Sequence, residues 1–258
     1  DTIKIFRDIS LNGFSYACTG PYSCNTFPFK YENIKRRYSL KKITKSIINK
    51  IVALKISMKI LRIKPAIYFF LAGGERSFAA GPVIWSETKT IKIHAADYDL
   101  LLKDGNIIND EKNIVYIDQY FPFHPDWKNH HISFNIEPSR YYSDLRNGFD
   151  KIEKITGLNI VIAAHPKAYY YDKGDLFGNR KIYHNQNSFN LVKNAKIVLV
   201  HNSSAISQSI LLNKSMIFLT SDLFNKTADG ILTNKMANFF NTKALNTNDD
   251  FDDLDSYY

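Results

Sequence analysis

The feature that most constrains the fold is the alternation, over residues 113–221, of short apolar runs with segments of helical spacing. The apolar runs are rich in Val and Ile, which is typical of strands covered on both faces of a sheet. Strands separated by helices predict right-handed crossovers and a parallel sheet. We expect strands at residues 113–118, 158–164, 196–200 and 215–221, and helices at residues 139–157, 188–195 and 204–213.

The first half of the chain carries weaker signals of the same kind. Residues 2–6 (TIKIF) and 66–71 predict strands, and a third strand is expected to end near His94. The 258 residues exceed the usual size of one domain. We therefore predict an α/β fold with two Rossmann-like domains, residues 1–112 and 113–258. The chain does not begin with methionine, which is consistent with a piece of a longer protein whose first domain is incomplete.

Positive charge is concentrated in one segment, residues 30–64, which holds twelve Lys or Arg against the single acidic residue Glu32. Its apolar residues recur every three or four positions, which predicts a basic amphipathic helix. Two interpretations stay open: a surface helix packed on its own domain, or a helix attracted to anionic phospholipid headgroups. No nucleic-acid-binding module is recognisable, so nucleic acid is not an expected partner. The acidic end, NDDFDDLDSYY, is expected to be solvated surface.

The cysteine and histidine content and the length of the apolar runs limit the possible compartments and cofactors. Only Cys18 and Cys24 are present, which is neither a zinc-ligand set nor a disulfide framework and favours a reducing, cytoplasmic compartment. No apolar run approaches the roughly 18 residues of a membrane span. His130 and His131 are adjacent and point apart in regular structure, so no metal site is expected. The sequence thus predicts a soluble or peripheral protein without a metal.

Polar residues follow three of the predicted strands, at the point where each strand ends. In parallel sheets, ligands bind outside the carboxyl ends of the strands. We therefore expect these residues to meet at one edge of the sheet. They are Asp118 and Gln119 after the first strand, His165 and Pro166 after the second, and His201, Asn202, Ser203 and Ser204 after the third.

The pair Ser203 and Ser204 has two explanations. Hydroxyls beside the unpaired N–H groups at a helix start suit a phosphate oxygen, because the helix dipole is positive there. Alternatively, the serines simply cap the helix, which is common and contributes about 1 kcal/mol. The earlier His165–Pro166 pair, 38 residues before Ser203, favours the phosphate hypothesis.

The motif IVIAAHP followed by LVKNAKIVLVHNSSAISQSILLNKSMIFLT resembles the nucleotide-binding half of two-domain, GT-B-type glycosyltransferases that build bacterial surface polysaccharides. It is most similar to the sialyltransferase-like and Kdo-transferase-like enzymes, which carry an HP motif and a later S/SS motif and use CMP-activated acidic sugars. The specific likeness covers residues 113–221. The resemblance implies two domains that face each other across a cleft.

The resemblance also implies roles for single residues. His165 and Pro166 would lie on the nucleotide phosphate, Ser203 and Ser204 on the same phosphate, and Gln119 beside the nucleotide. The segment YHNQNS offers no carboxylate for the ribose, where sialyltransferases place an acidic or polar residue. A diphosphate donor such as a UDP-sugar or CDP-glycerol therefore stays open.

Transfer to a sugar acceptor needs a base, which is usually a carboxylate and is expected from the first half. Asp97 is the first candidate, Glu75 the second and Asp99 the third; Glu75 follows two glycines that permit close approach of a substrate. Arg180 and Lys181, between the two motifs, are candidates to bind a phosphate or the carboxylate of an acidic sugar.

The sequence leaves two classes of function open. The first is a metal-independent glycosyltransferase that modifies a lipid-linked or surface glycan, such as lipopolysaccharide or capsule, at the inner face of the plasma membrane. The second is a non-catalytic protein that binds membranes or polyanions through residues 30–64, with ordinary turns at the sheet edge.

Overall fold

In a computed structural model of the chain, the structure describes residues 2–19, 55–72, 81, 83–104, 113–125, 136–184 and 188–257. The chain divides into two compact units, Asp1–Asp99 and Leu100–Tyr258. Within the described ranges, no helix is both long and apolar enough to cross a membrane. Most of the basic segment at residues 30–64 lies outside these ranges, so the amphipathic helix predicted there stays a prediction.

The first unit contains a small parallel sheet with the strand order β1-β2-β3. The strands predicted at residues 66–71 and before His94 are confirmed as β2 and β3. The sheet is accompanied by a small buried cluster of Met58, Ile63, Ala66 and Val83. The described elements are α1 (Thr2–Leu11), β1 (Ala17–Thr19), α2 (Lys55–Ile60), β2 (Tyr68–Ala72), β3 (Lys89–Ile93) and α3 (Ala96–Asp104), which continues into the second unit.

The strand predicted at residues 2–6 is wrong, because the segment is the start of helix α1. The run TIKIF is too short to separate alternation from helical spacing. Over the full helix, the less exposed residues are Phe6, Ile9 and Ser10, spaced by three and one, whereas Arg7 between them is exposed. The Ser10 hydroxyl also donates to the Phe6 carbonyl at 2.8 Å, one helical turn back.

The second unit is built on one six-stranded parallel sheet with the order β6-β5-β4-β7-β8-β9. Numbered from the first strand, this is 3-2-1-4-5-6, the order of a Rossmann-like sheet. The predicted α/β class with parallel sheets is confirmed. The elements are β4 (Asn113–Ile117), α4 (Pro138–Thr156), β5 (Asn159–Ala163), β6 (Ile182–Tyr183), α5 (Ser188–Lys193), β7 (Ala195–Val200), α6 (Ile206–Leu211), β8 (Ser215–Thr220), α7 (Ala228–Phe239) and β9 (Leu245–Asn246), with 3-10 turns at Phe224–Lys226 and Asp255–Tyr257.

Helix α4 forms where its sequence predicts, and both of its ends have a local cause. The Glu137 carboxylate accepts from the amides of Ser139 and Arg140, which satisfies two of the free N–H groups at the helix start. Gly157 ends the helix with φ +66°, in the left-handed region that glycine adopts at low cost. The helix predicted at residues 139–157 is confirmed.

The core of the second unit is unusually aromatic. Helix α4 turns its buried face, with residues spaced by three or four positions, onto a sheet whose central strand places Tyr116 fully inside. Packing of rings with few rotatable bonds fixes the strand ends relative to the helix. The largest fully buried side chains include Tyr116, Tyr141, Tyr142, Phe121, Phe149, Phe177 and Phe224.

Candidate functional site

The candidate site is the carboxyl edge of the sheet in the second unit. Strand β4 is central and pairs with β5 on one side, where Ile117 is opposite Ala163, and with β7 on the other, where Tyr116 is opposite Leu199. The chain order reverses between β4 and β7, because β5 and β6 extend to one side and β7 to β9 to the other. The loops that follow these three strands therefore start side by side at one edge.

Asp118, the first residue after β4, is only 2% exposed. Its Oδ2 atom accepts from the amide of Tyr120 at 2.9 Å and from the hydroxyl of Tyr170. Its Oδ1 atom is buried and has no hydrogen-bond partner among the described residues. Burial raises the pKa of this carboxyl to about 6, although the bonds from Tyr170 and Tyr120 act in the opposite sense.

The contacts of Asp118 join the loop after β4 to the loop after β5. Tyr120, which has φ +55°, donates through its hydroxyl to the carbonyl of Tyr169 at 2.6 Å. Its ring packs edge-on against Tyr170, with centroids 5.3 Å apart. A non-glycine residue in the left-handed region persists only where its surroundings hold it, and here three contacts do so. These contacts join the two loops into one rim.

His165 lies half-buried after β5, and Pro166 next to it is exposed. The Nδ1 atom of His165 accepts from the amide of Lys167 at 3.1 Å, so a neutral ring carries its proton on Nε2. The ring packs edge-on against His124, with centroids 4.7 Å apart. The imidazole is therefore oriented by these two contacts.

His201, the first residue after β7, has a structural role instead. It is 1% exposed, its Nδ1–H group donates to the carbonyl of Leu219 at 2.8 Å, and its Nε2 atom accepts from the hydroxyl of Tyr141 at 2.9 Å. Burial lowers the pKa of this imidazole to about 4. A neutral ring with both nitrogens bonded inside the core is not placed for proton transfer to a ligand. The next residue, Asn202, is also buried and donates to Asp229 at the start of α7 at 3.2 Å.

Ser203 and Ser204 do not cap helix α6 in the simple way. The N-cap position is Ala205, whose side chain makes no capping bond. The Ser203 hydroxyl accepts from the amide of Ala205 at 3.2 Å, which forms a turn before the helix. Ser203 is half-buried and Ser204 is exposed. The Ser203 hydroxyl thus makes a local bond of the kind that caps a helix start, and both explanations of the serine pair stay open.

Arg180 is used inside the fold. Its guanidinium nitrogens donate to Glu153 and Asp150 on α4 and, at 2.9 Å, to the carbonyl of Phe177, and its side chain is only 7% exposed. We therefore assign it to the packing of the β5–β6 connection on α4 and not to a ligand. Lys181 is exposed, and its ammonium lies 4.6 Å from the centroid of the Tyr183 ring.

The remaining candidates are spread over both units. Gln119 is half-buried directly after Asp118, whose carboxyl its backbone amide contacts. Asp97 is half-buried in the first turn of α3, and the exposed Asp99 carboxylate lies 3.6 Å from the Nδ1 atom of His94. Glu75 lies outside the described residues. No group of three or more His, Cys, Asp or Glu side chains within the described ranges is arranged to hold a metal ion.

Sequence reasoning missed the aromatic part of the rim, namely Tyr120, Tyr169, Tyr170 and Tyr171. The run YYY, which begins three residues after the HP motif, was a signal, since three successive large aromatic side chains in a loop suggest that some of them pack against the fold. No protein-family model matches the chain, and no curated protein is significantly similar to it.

Proposed function

We propose that the protein is a glycosyltransferase that transfers a CMP-activated acidic sugar to a bacterial surface glycan such as lipopolysaccharide or capsule. The observation that carries the proposal is the reversal of strand order between β4 and β7, with polar residues at the carboxyl end of each strand. In open parallel sheets, nucleotides bind in the crevice at this point, because the loops on either side lead away from each other. Gln119 borders one side of the crevice and Ser203 the other.

In this proposal, the donor phosphate lies between Ser203, Ser204 and the imidazole of His165. As the acceptor oxygen bonds to the anomeric carbon, the bond from that carbon to the phosphate oxygen breaks and its electrons remain on the phosphate. Donors that are already oriented stabilise this growing charge at little reorganisation cost. His165 meets this condition, because its ring is held by Lys167 and His124.

The proton of the acceptor hydroxyl must go to a base, for which Asp97 and then Glu75 are the candidates. Both belong to the first unit, so the proposal includes the facing arrangement of two domains that GT-B-type enzymes have. It also includes attachment of the basic segment at residues 30–64 to the anionic inner face of the plasma membrane, where a lipid-linked acceptor would be met. No metal is needed, because hydroxyl and imidazole donors take its place at the phosphate.

Nucleotide-dependent protection against unfolding tests the donor site. At 100 times its dissociation constant, a bound nucleotide adds about 2.7 kcal/mol to the free energy of unfolding. For a domain of this size, that corresponds to a rise in Tm of about 5–10 °C. We expect this rise with CMP and not with GDP. A rise with CDP or UDP alone would move the donor to the diphosphate class, and no rise with any nucleotide would favour the non-catalytic alternative.

Replacement of both serines separates phosphate binding from helix capping. Ser203→Ala with Ser204→Ala removes two hydrogen bonds to a charged group, so we expect turnover to fall by about 100-fold or more and the CMP effect to be lost. Ser215→Ala, at the opposite end of the sheet where β8 starts, is the matched control and should leave both unchanged. A destabilised double variant that still binds nucleotide normally would end the phosphate assignment.

A further inference from the structure

The carboxyl of Asp118 joins the central strand β4 to the loop after β5, residues 164–175. Its Oδ2 atom accepts from the hydroxyl of Tyr170, which belongs to that loop, and from the amide of Tyr120 at 2.9 Å. Tyr170 is only 7% exposed, and its ring packs edge-on against Tyr120 and Phe177, with centroids 5.3 and 5.6 Å away. Tyr170 is thus part of the cover that leaves Asp118 only 2% exposed. An opening of the loop that removes Tyr170 admits water to the carboxyl.

The described residues that interact with Asp118 supply no positive charge. The titratable side chains that face it are tyrosines, and burial raises the pKa of each above its ordinary value, so they stay neutral near pH 7. They are Tyr116 from β4, Tyr141 and Tyr142 from α4, and Tyr170 from the loop after β5. The Oδ1 atom of Asp118 is buried and has no hydrogen-bond partner within the described ranges. While the loop is closed, an ionised Asp118 therefore carries charge on an oxygen that no donor stabilises, which is costly.

The pH dependence of loop opening follows from this burial. With the loop closed, burial raises the pKa of Asp118 from 3.8 to about 6, whereas a hydrated aspartate has a pKa near the lower value. The closed arrangement thus binds the proton more tightly, so its stabilisation is complete below pH 3.8 and is lost as the pH rises through 6. The equilibrium constant for opening should rise about tenfold between pH 5 and pH 7. Above about pH 7 it should reach a plateau, because Asp118 is then ionised in both arrangements.

We propose that Asp118 and Tyr170 form a proton-dependent latch, which keeps the loop after β5 closed while Asp118 is protonated and lets it open more often once Asp118 is ionised. The loop carries His165, so the position of this imidazole at the sheet edge varies with pH. His201 does not offset the effect, since its partners Tyr141 and Leu219 lie outside the loop and opening leaves them in place. The latch depends on the fold alone and holds whatever ligand binds at this edge.

Amide hydrogen exchange of the full chain, followed by NMR between pH 4 and 8, measures the opening. The amides of Ala168 and Lys173 bond to carbonyls within the loop, at 2.8 and 2.9 Å, and so report its closed state. After correction for the intrinsic exchange rate, their protection should fall about tenfold from pH 5 to pH 7 and then stay level. The reference is the Thr247 amide, which bonds to β8 at 2.9 Å on the far side of the sheet and should change by less than about threefold.

Two carboxyl variants assign the effect. Asp118→Asn keeps an oxygen that can accept from Tyr170 but cannot ionise, so the fall in protection should disappear. The matched control is Asp172→Asn, on the same loop, which removes an exposed carboxylate paired with Lys173 at 3.0 Å and should retain the tenfold fall. A fall that persists in Asp118→Asn would overturn the latch and assign the pH effect to the imidazoles of the neighbouring loops, His124, His165 and His184.

Two further measurements decide the question if Asp118→Asn does not fold. In the unmodified protein, a rise in loop opening that levels off above about pH 7 supports the latch, whereas a flat profile or a rise that continues to pH 8 refutes it. Tyr170→Phe keeps the packed ring and removes only the hydroxyl, so the protection of the loop amides should drop severalfold at pH 5 and at pH 7 alike. Unchanged protection in this variant would show that the hydroxyl does not hold the loop.

Discussion

Asp118 and His201 follow adjacent strands, are both buried, and have pKa values displaced in opposite directions across the same pH range. Burial raises the pKa of the Asp118 carboxyl from 3.8 to about 6 and lowers that of the His201 imidazole from 6.5 to about 4. Both groups are therefore favoured in their neutral forms. We predict that their effects on the pH dependence of stability largely cancel, and that Asp118→Asn exposes the contribution of His201.

The sign and size follow from the two displacements. Since the folded state holds the Asp118 proton more tightly, its stabilising effect is complete below pH 3.8 and is lost as the pH rises through 6. At 1.36 kcal/mol per pKa unit, this loss is about 3 kcal/mol. For His201, stability is present above pH 6.5 and is lost as the pH falls through 4, again by about 3 kcal/mol.

The assay is urea unfolding between pH 4 and 7, followed by the near-ultraviolet circular dichroism of the aromatic core. The free energy of unfolding of Asp118→Asn, minus that of the unmodified protein, should be about 2.5 kcal/mol larger at pH 7 than at pH 4, because a small part of the Asp118 effect is already lost at pH 4. The asparagine oxygen can keep the bonds from Tyr120 and Tyr170, and its buried NH₂ group costs a constant amount at every pH.

The matched control is Asp250→Asn, since that exposed carboxyl makes only a surface ion pair with Lys151 at 3.4 Å, worth under about 1 kcal/mol. Its difference from the unmodified protein should stay nearly flat over the same range. Parallel pH profiles for Asp118→Asn and the unmodified protein would show that the carboxyl is ionised in the fold at pH 4, and would refute the reasoning.

Three further changes test the structural assignments. Arg180→Ala removes the bonds to two helix carboxylates and a carbonyl, so urea unfolding should show a loss of about 2 kcal/mol with the nucleotide-dependent rise in Tm unchanged; loss of that rise would return Arg180 to the ligand site. Tyr141→Phe leaves the Nε2 atom of His201 without its donor and should cost about 1–3 kcal/mol in the same assay, whereas no cost would mean that water replaces the hydroxyl. Gly230→Ala places a Cβ atom 2.1 Å from the carbonyl oxygen of Phe224, so the free energy of unfolding should fall by about 2 kcal/mol or more, and an unchanged Tm would contradict this packing.

Much of the fold of the second unit is determined by local sequence, because the longer strands β4, β5, β7 and β8 are apolar runs. The two-residue strands β6 and β9 and helix α7 were not predicted. The α4 helix is predictable from the spacing of its apolar residues and from Gly157, both of which act within a few residues. The start of the first unit is different, since residues 2–6 alternate as a strand would, and only the later residues Ile9 and Ser10 reveal a helical face. The conformation of a short apolar run therefore depends on the residues after it.

The sequence predicts where the residues of the candidate site lie, but not what each of them does. His165 and His201 both come after buried strands in the sequence, and a local pattern cannot tell them apart. The difference comes from Tyr141, which lies 60 residues before His201 and accounts for its second nitrogen, whereas the Nδ1 atom of His165 is bonded within its own turn. Arg180 is likewise defined by carboxylates 27 and 30 residues away.

The polar residues at the sheet edge fall into two groups, which differ in burial and in role. Asp118 and His201 are buried, and their hydrogen-bond partners are aromatic hydroxyls and backbone groups. These bonds fix the ends of β4 and β7, and ionisation of either side chain costs stability. Ser203, Ser204 and His165 are more exposed, and their positions depend on those fixed strand ends. A ligand at this edge would thus contact the more exposed residues, whose positions are determined by the buried ones. Phosphate recognition requires pre-organisation of this kind.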